Sequence, residues 1–272
     1  MGGHLGTELW VKIVAIVGAA AWLSPVLYSI ILHFFKKPKI RFYDKGNIIF
    51  TNFTGAISAG LRCSIDAENR NALVTGMKLL VKHESKNEII LHWNTVREVT
   101  QHISNPTGQP IEFYKEIQPG ILKITTDEAK DLMVFFSDMA YERKYEILIR
   151  ELIDQILYRL KNKSQNDAEE IKNILTELKK ESIYKDILYL WNDSLYLKSG
   201  MYELELRIKE KNKITDYKYK YKFQIQPGEI EILREYLKVF DEIIEYTILN
   251  RFNLGPSMVI PPKSINLEIR PL

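Results

Sequence analysis

The sequence predicts a membrane-anchored α+β protein. One N-terminal transmembrane helix is followed by a mainly antiparallel β-sandwich with an inserted αα-hairpin and a C-terminal amphipathic helix. Three observations predict this class. Residues 13–32 contain no Asp, Glu, Lys, Arg or His, and a run of roughly 20 apolar residues is what a membrane-spanning helix needs. Segments between 39 and 137, and again between 202 and 225, alternate apolar and polar residues as half-buried strands do. Residues 141–178 follow the 3.6-residue period of amphipathic helices.

We interpret the apolar run as an uncleaved transmembrane helix over residues 13–35. A basic collar follows it, while only Lys12 precedes it, and cytoplasmic flanks are the ones enriched in Lys and Arg. The collar consists of Lys36, Lys37, Lys39 and Arg41. This asymmetry predicts a short extracytoplasmic N-terminus at 1–12, a cytoplasmic domain at 36–272 and a single-pass location in the plasma (inner) membrane. The lipid bilayer is thus a predicted partner, with the collar close to anionic headgroups.

Two alternatives concern the same run. The small residues Ala19–Ala21 fit a cleaved secretory signal, although the apolar run continues well beyond them to Phe35, which favours the anchor. A patch of Ala15, Gly18 and Ala19 would let a second helix approach closely. A homo-oligomer formed through the transmembrane helix is therefore an open alternative.

Composition limits what the rest of the chain can be. With 46% hydrophobic and 27% charged residues in 272, the chain has the composition of a folded globular protein. Its formal net charge of +3 is too small to argue for nucleic acid as a partner. Cys63 is the single cysteine, which excludes an internal disulfide and agrees with a reducing compartment. Frequent Ile, Lys, Asn and Tyr are typical of an AT-rich bacterial genome.

The pattern in the first half of the remaining chain predicts mainly β-strands. Residues 39–53 predict a hairpin, because the turn-forming residues Asp44–Asn47 separate two alternating runs. Proline interrupts residues 94–120, so we expect a long irregular excursion with one strand at 111–117. Further strands are predicted at 61–66, 73–83, 88–93 and 132–137.

Two helices follow, over residues 141–162 and 168–178. Ile149, Leu152, Ile156 and Leu160 form the apolar stripe of the first. The two helices predict an αα-hairpin at about 139–182. We expect it to be inserted into a single sandwich made of residues 38–137 and about 187–226, because neither half has enough strands alone.

The second half returns to strands at 202–209 and 217–225, which are expected to pair as a hairpin. Lys218, Lys220 and Lys222 then share one exposed face opposite Glu203 and Glu205. A third helix is predicted from Pro227 to about Leu249, and a final edge strand at 264–269. Gly200 followed by alternating Tyr202, Leu204 and Leu206, and then by a paired strand, resembles the closing strands of immunoglobulin-like sandwiches. That resemblance implies an immunoglobulin-like fold and no particular activity.

No catalytic, cofactor-binding or metal-binding residue is predicted, because the sequence holds no phosphate loop, zinc motif or nucleophile elbow. His83 and His92 lie on neighbouring predicted strands, but two histidines without a third ligand are more often ordinary strand residues. No cofactor is expected. An enzyme whose site is built from loops around 94–120 remains an alternative.

The predicted function is a non-enzymatic binding or sensing module that takes a protein or a small ligand. Its contact regions are expected at residues 94–120 and at the face of Lys218, Lys220 and Lys222. Nucleic acid is disfavoured, because alternation in a strand sends these lysines and the intervening tyrosines to opposite faces. The alternative is a membrane effector, for example in bacterial defence, in which ligand sensing drives oligomerisation of the transmembrane helix.

Overall fold

The structure is a computed structural model, and it describes most of the chain from residue 36 onward. The described residues are 14, 17–18, 24–28, 30, 36–53, 56–104, 110–118, 120–160, 167–193, 196–211, 213, 216–254 and 263–272.

The described strands form one mostly antiparallel, barrel-like sheet that is nearly closed. Its strands are β1 (Lys39–Phe53), β2 (Ala56–Glu68), β3 (Ala72–His83), β4 (Glu88–Ser104), β5 (Pro110–Ile117), β6 (Leu122–Ile124), β7 (Lys130–Ser137), β8 (Gly200–Glu210), β9 (Tyr217–Ile225), β10 (Lys263–Glu268) and β11 (Arg270–Pro271). Their order is β10-β1-β2-β7-β4-β3-β8-β9-β11, with β5 on β4 and β6 on β3. Because β10 and β11 are consecutive, the C-terminal segment brings the two ends of the sheet together.

Alternating side chains fill the inside of this sheet. Ile48 and Phe50 of β1, Leu206 and Ile208 of β8, and Ile225 of β9 are all buried there. Since one face of each strand is apolar, curling the sheet buries all of these faces in a single core. A short helix, α4 (Pro227–Glu235), contributes Ile230 and Leu233 to the same core.

The two ends of the sheet differ. At the end where β1 finishes, the Asn52 side chain donates to the Leu233 carbonyl of α4 at 3.4 Å. At the other end, where β1 begins, the β2–β3 turn and the β8–β9 connection lie around residues 36–39. We call this second end the open end.

Four helices form a second core. After α1 (Met139–Arg159), α2 (Ala168–Leu178) and α3 (Ser182–Asp193), the chain returns through β8, β9 and α4 to a 3-10 turn (Tyr236–Val239) and α5 (Phe240–Arg251). Trp191 of α3 packs edge-on against Phe240 of α5, with ring centroids 5.1 Å apart. Lys179 Nζ lies 2.7 Å from Asp241 Oδ2 and links α2 to α5 across the surface. This helical core is distinct from the core of the sheet.

The predicted sandwich is wrong, and with it the immunoglobulin-like fold. The strands belong to one continuous sheet rather than to two packed sheets. Long strands such as β1 and β4 each pair along their length with several neighbours, so the sheet curls on itself instead of splitting. The predicted domain limits stay predictions.

The predicted transmembrane helix at 13–35 is also contradicted. Among the residues that the structure describes, no helix has the length and hydropathy needed to span a membrane. Within that stretch, helical backbone is described at Val14, 17–18, 24–28 and Ile30, and the other residues of 13–35 lie outside the described residues. The predicted single-pass plasma-membrane location depended on that helix and is wrong with it. Residues 1–12, the predicted extracytoplasmic segment, lie outside the described residues.

Two local predictions are corrected as well. Residues 39–53 form the single strand β1 rather than a hairpin, because the register against β2 shifts between Asp44 and Ile48 and the strand continues beyond this irregularity. Gly46, at φ 81°, takes up the backbone distortion there, and its N–H donates to Asp44 Oδ1 at 2.9 Å. Residues 94–104, expected to be irregular, extend β4, and residues 96–104 of this extension pair with β5.

Candidate functional site: a basic cleft at the open end of the sheet

Tyrosine side chains, rather than backbone hydrogen bonds, join β9 to the first half of β1. Tyr217 donates its hydroxyl to the Pro38 carbonyl at 2.6 Å, and Tyr219 donates to the Ile40 carbonyl at 2.8 Å. Tyr221, two residues further along, lies near enough to Asp44 for that carboxylate to raise its pKa. The alternation of β9 places these three side chains on one face. We call Tyr217, Tyr219 and Tyr221 the tyrosine bridge.

The tyrosine bridge is substantially shielded from water. Burial raises the pKa of Tyr219 to about 12. Burial, followed by the charge of Asp44, raises the pKa of Tyr221. Burial also raises the pKa of Tyr217, with a contribution from Glu210. All three hydroxyls therefore stay protonated near neutral pH and can act as donors.

A cavity of about 340 Å³ lies at the open end of the sheet, next to Tyr217. Four cationic side chains contribute to its lining, and they come from three separate parts of the chain. The lining is Lys37, Pro38, Lys39, Asn69, Arg70, Glu210, Lys213 and Tyr217. We call this cavity the basic cleft.

Local turn chemistry positions the cations. Asn69 adopts a left-handed conformation, φ 74°, in the turn between β2 and β3, a conformation that asparagine tolerates better than most residues. Its side-chain amide donates to the Lys37 carbonyl at 3.3 Å, which holds the turn carrying Arg70 against the start of β1. On the other side, the Lys213 ammonium lies 3.3 Å from the centroid of the Tyr217 ring.

The charges around the basic cleft are only partly compensated. Lys39 Nζ lies 3.4 Å from Glu68, and the buried carboxylate of Glu210 belongs to the lining. Lys37, Arg70 and Lys213 form no ion pair with any carboxylate in the described part of the chain. The lining therefore holds four cations and one carboxylate, and this excess of positive charge favours an anionic ligand.

The predicted basic collar is divided by the fold. Lys37 and Lys39 line the basic cleft, whereas Lys36 is exposed and outside its lining. Arg41 lies on the outer face of β1 and makes two hydrogen bonds to Asp66, at 2.7 and 2.9 Å. Two of the four collar residues thus belong to the candidate site.

The predicted lysine face exists on β9 as expected. Lys218, Lys220 and Lys222 stand opposite Arg207, Glu205 and Glu203 of β8. Lys220 Nζ lies 3.7 Å from Glu205, so part of this charge is used within the sheet. Whether the face binds a partner stays a prediction.

The remaining predicted residues are not brought into a site. His92 pairs with Lys78, five residues along β3 from His83, which separates the histidines by roughly 17 Å of strand. The His83 ring lies 2.7 Å from Ser85 Oγ and 3.2 Å from the Ser199 carbonyl, so it connects two turns. Of the small-residue patch, Gly18 is described with no atom packed within 4 Å of a Cβ position; Ala15 and Ala19 lie outside the described residues.

Sequence reasoning missed Arg70, Lys213 and the role of Tyr217. Arg70 and Lys213 are single basic residues in polar turns, and nothing in their spacing links positions so far apart. Only the pairing of β3 with β8 brings the two turns together.

Comparison with known proteins assigns no family to this chain. No protein-family model matches the sequence, and no curated protein matches it. Among solved structures, the chain is similar to a family 123 glycoside hydrolase from Clostridium perfringens that was studied for glycolipid glycan hydrolysis. The two chains share 8% sequence identity with a TM-score of 0.30, and the likeness covers 70% of this chain and 27% of the hydrolase. A TM-score this low supports no conclusion about fold or activity.

Proposed function

We propose that this chain is a non-enzymatic binding module that holds an anionic ligand in the basic cleft. The observation that carries the proposal is the convergence of Lys37, Lys39, Arg70 and Lys213 on one cavity of about 340 Å³. Ligand pockets often have volumes of several hundred Å³ with a few converging polar groups. The cleft therefore has room for a group such as a phosphate, a sulfate or a carboxylate.

Arg70 and Lys213 supply complementary chemistry in this proposal. An arginine guanidinium presents a planar fork of N–H donors that matches two oxygens of one anion, whereas a lysine ammonium acts as a mobile point charge. Asn69 fixes the turn that contains Arg70 through its hydrogen bond to the Lys37 carbonyl. The Lys213 ammonium makes a cation–π contact with the Tyr217 ring. Both cations are thus partly positioned before any ligand arrives, which reduces the entropy lost on binding.

Membrane anchoring has no part in the proposal, because the described residues contain no membrane-spanning helix. The effector alternative required oligomerisation of such a helix and is therefore not proposed here.

Calorimetric titration with inorganic pyrophosphate tests the proposal. The double variant Arg70→Gln/Lys213→Gln should bind at least tenfold more weakly than the wild type, since a hydrogen bond to a charged group contributes about 1.5–3 kcal/mol and about 1.4 kcal/mol is a factor of ten. Lys185→Gln/Lys238→Gln is the matched control. It removes the same charge from exposed positions on α3 and on the 3-10 turn.

The control should bind as the wild type does. Equal weakening in both double variants would show that only net charge matters, and no binding by the wild type at low ionic strength would refute the proposal.

A further inference from the structure

The sheet is left open along part of the line where β1 faces β9. β10 pairs with β1 from Asn47 onward, and β11 pairs with β9 at Tyr221 and Lys222. Two more backbone hydrogen bonds, from Ile269 N–H to the Gly46 carbonyl and from Leu272 N–H to the Lys220 carbonyl, extend these contacts by one residue on each strand. Residues 39–44 of β1 pair with β2 alone, and residues 217–219 of β9 pair with β8 alone, within the part of the chain that the structure describes. Each strand therefore has an unpaired edge here, and unpaired edges are templates for an added strand.

The two edges are farther apart than paired strands. Neighbouring strands lie about 4.8 Å apart, whereas a whole tyrosine side chain separates β9 from the β1 carbonyls. The Phe42 and Tyr219 rings, with centroids 5.1 Å apart, lie beneath the gap. A groove of about 380 Å³ runs over this gap between residues 39–43 and 217–219.

The groove is a continuation of the basic cleft, because Lys39 and Tyr217 line both. Lys39 and Arg41 line it from β1, and Lys218 lines it from β9. Lys39 and Arg41 are already paired with Glu68 and Asp66, whereas Lys218 has no ion-pair partner among the described carboxylates. The groove thus has a basic rim on both sides and an aromatic floor.

We propose that this groove accepts an extended acidic peptide, which adds a strand between β1 and β9 and places a carboxylate in the basic cleft. The inference rests on the proposed function and names its ligand class. A carbonyl oxygen has two lone pairs, so the Pro38 and Ile40 carbonyls accept a peptide N–H in addition to a tyrosine hydroxyl.

Side-chain spacing specifies the peptide. The rim cations Lys39 and Arg41 fall on alternate residues of β1, and alternate side chains of a strand share a face. Acidic residues at every second position of the peptide therefore face the rim together. Backbone pairing at an open edge supplies affinity, while the acidic positions select the sequence.

The test uses the full chain and three probes of equal length, with binding measured by calorimetry. The first is an eight-residue peptide of alternating glutamate and threonine. The second replaces every threonine by proline, which keeps the charge but removes alternate N–H donors. The third is a single-stranded oligothymidine. We expect the glutamate–threonine peptide to bind at least tenfold more tightly than the other two, and to slow amide exchange in residues 38–44 and 217–220.

Lys218→Glu should weaken that peptide at least tenfold, whereas the matched charge reversal Lys185→Glu on α3 should not change it. Equal affinity for the threonine and proline peptides would overturn strand addition, and tighter binding of oligothymidine would overturn the peptide assignment. Binding of pyrophosphate without any binding of the peptide would overturn this inference alone. Failure of both probes would overturn the proposed function as well.

Discussion

Replacing Tyr219 by phenylalanine should destabilise the sheet by removing one connection across its unclosed part. The hydroxyl donates to the Ile40 carbonyl at 2.8 Å, and such a hydrogen bond contributes about 0.5–1.5 kcal/mol net. Leaving the carbonyl without that donor in a half-buried setting adds to the loss, so we expect about 1–2 kcal/mol in total. The ring contact with Phe42 is kept by phenylalanine, so the substitution isolates the hydroxyl.

Urea unfolding at neutral pH measures this change. For a chain of this size, about 1 kcal/mol corresponds to a shift of roughly 2–4 °C in Tm, so thermal unfolding gives a second readout. Tyr189→Phe is the matched control, because Tyr189 is 74% exposed on α3, and its substitution should change stability by less than about 0.5 kcal/mol. If Tyr219→Phe is as stable as the control, the hydroxyl does not hold β9 to β1, and the tyrosine bridge does not stabilise the unclosed part of the sheet.

Three further predictions address the fold. The pKa of Tyr219 is raised to about 12 from the value of about 10 of an unfolded tyrosine. Its contribution to stability is therefore complete below about pH 10 and is lost as the pH rises toward 12. Titration of tyrosinate absorbance should show a late-titrating tyrosine that disappears in Tyr219→Phe, and an unchanged titration curve would contradict this. Gly200→Ala should destabilise the folded protein by about 1–3 kcal/mol, because Gly200 has φ 138° and an added Cβ would lie 2.6 Å from His83 Nε2. Gly228→Ala is the control, because nothing lies within 4 Å of a Cβ at that position. Equal unfolding midpoints for the two variants would refute the predicted strain at Gly200. Asp138→Ala should lower the free energy of unfolding by about 0.5–2 kcal/mol, because the Asp138 carboxylate accepts hydrogen bonds from the Ala140 and Tyr141 N–H groups at the start of α1. Circular dichroism during urea unfolding measures this loss, and an unchanged unfolding midpoint would contradict it.

Alternation and helical period predicted most individual elements. The pattern from Tyr217 to Ile225 predicted a strand with lysines outside and tyrosines on the opposite face, and the structure has it. The opposition of Glu205 and Lys220 is also confirmed. These features depend on neighbouring residues, which is the information that a sequence pattern carries.

The failures have physical causes. Asp44–Asn47 has the composition of a hairpin turn, yet the runs on both sides of it pair with β2, and β1 continues beyond an irregularity between Asp44 and Ile48. The helix at Ser182–Asp193 was not predicted, although Trp191 and Ile187 bury one of its faces. The transmembrane interpretation of residues 13–35 depended on length and flanking charge alone, and no helix among the described residues can span a membrane.

The basic cleft could not be predicted, because it depends on which strands become neighbours. Tyr217 and Pro38 are joined by a hydrogen bond across 179 residues of sequence. Arg70 and Lys213 line the same cavity only because β3 pairs with β8. Local periodicity fixes the face on which a side chain lies but not the strand that lies opposite, so sites formed between distant strands leave no contiguous motif.

Hydrogen exchange with and without inorganic pyrophosphate tests the central claim most directly, because it locates the anion on the chain. If the basic cleft is the binding site, pyrophosphate should slow amide exchange in the segments around residues 36–41, 69–71 and 210–217, and leave the helical core of α1, α2, α3 and α5 unchanged. Protection confined to other segments, or no protection at pyrophosphate concentrations that saturate binding in calorimetry, would contradict the assignment of the anion site to the open end of the sheet.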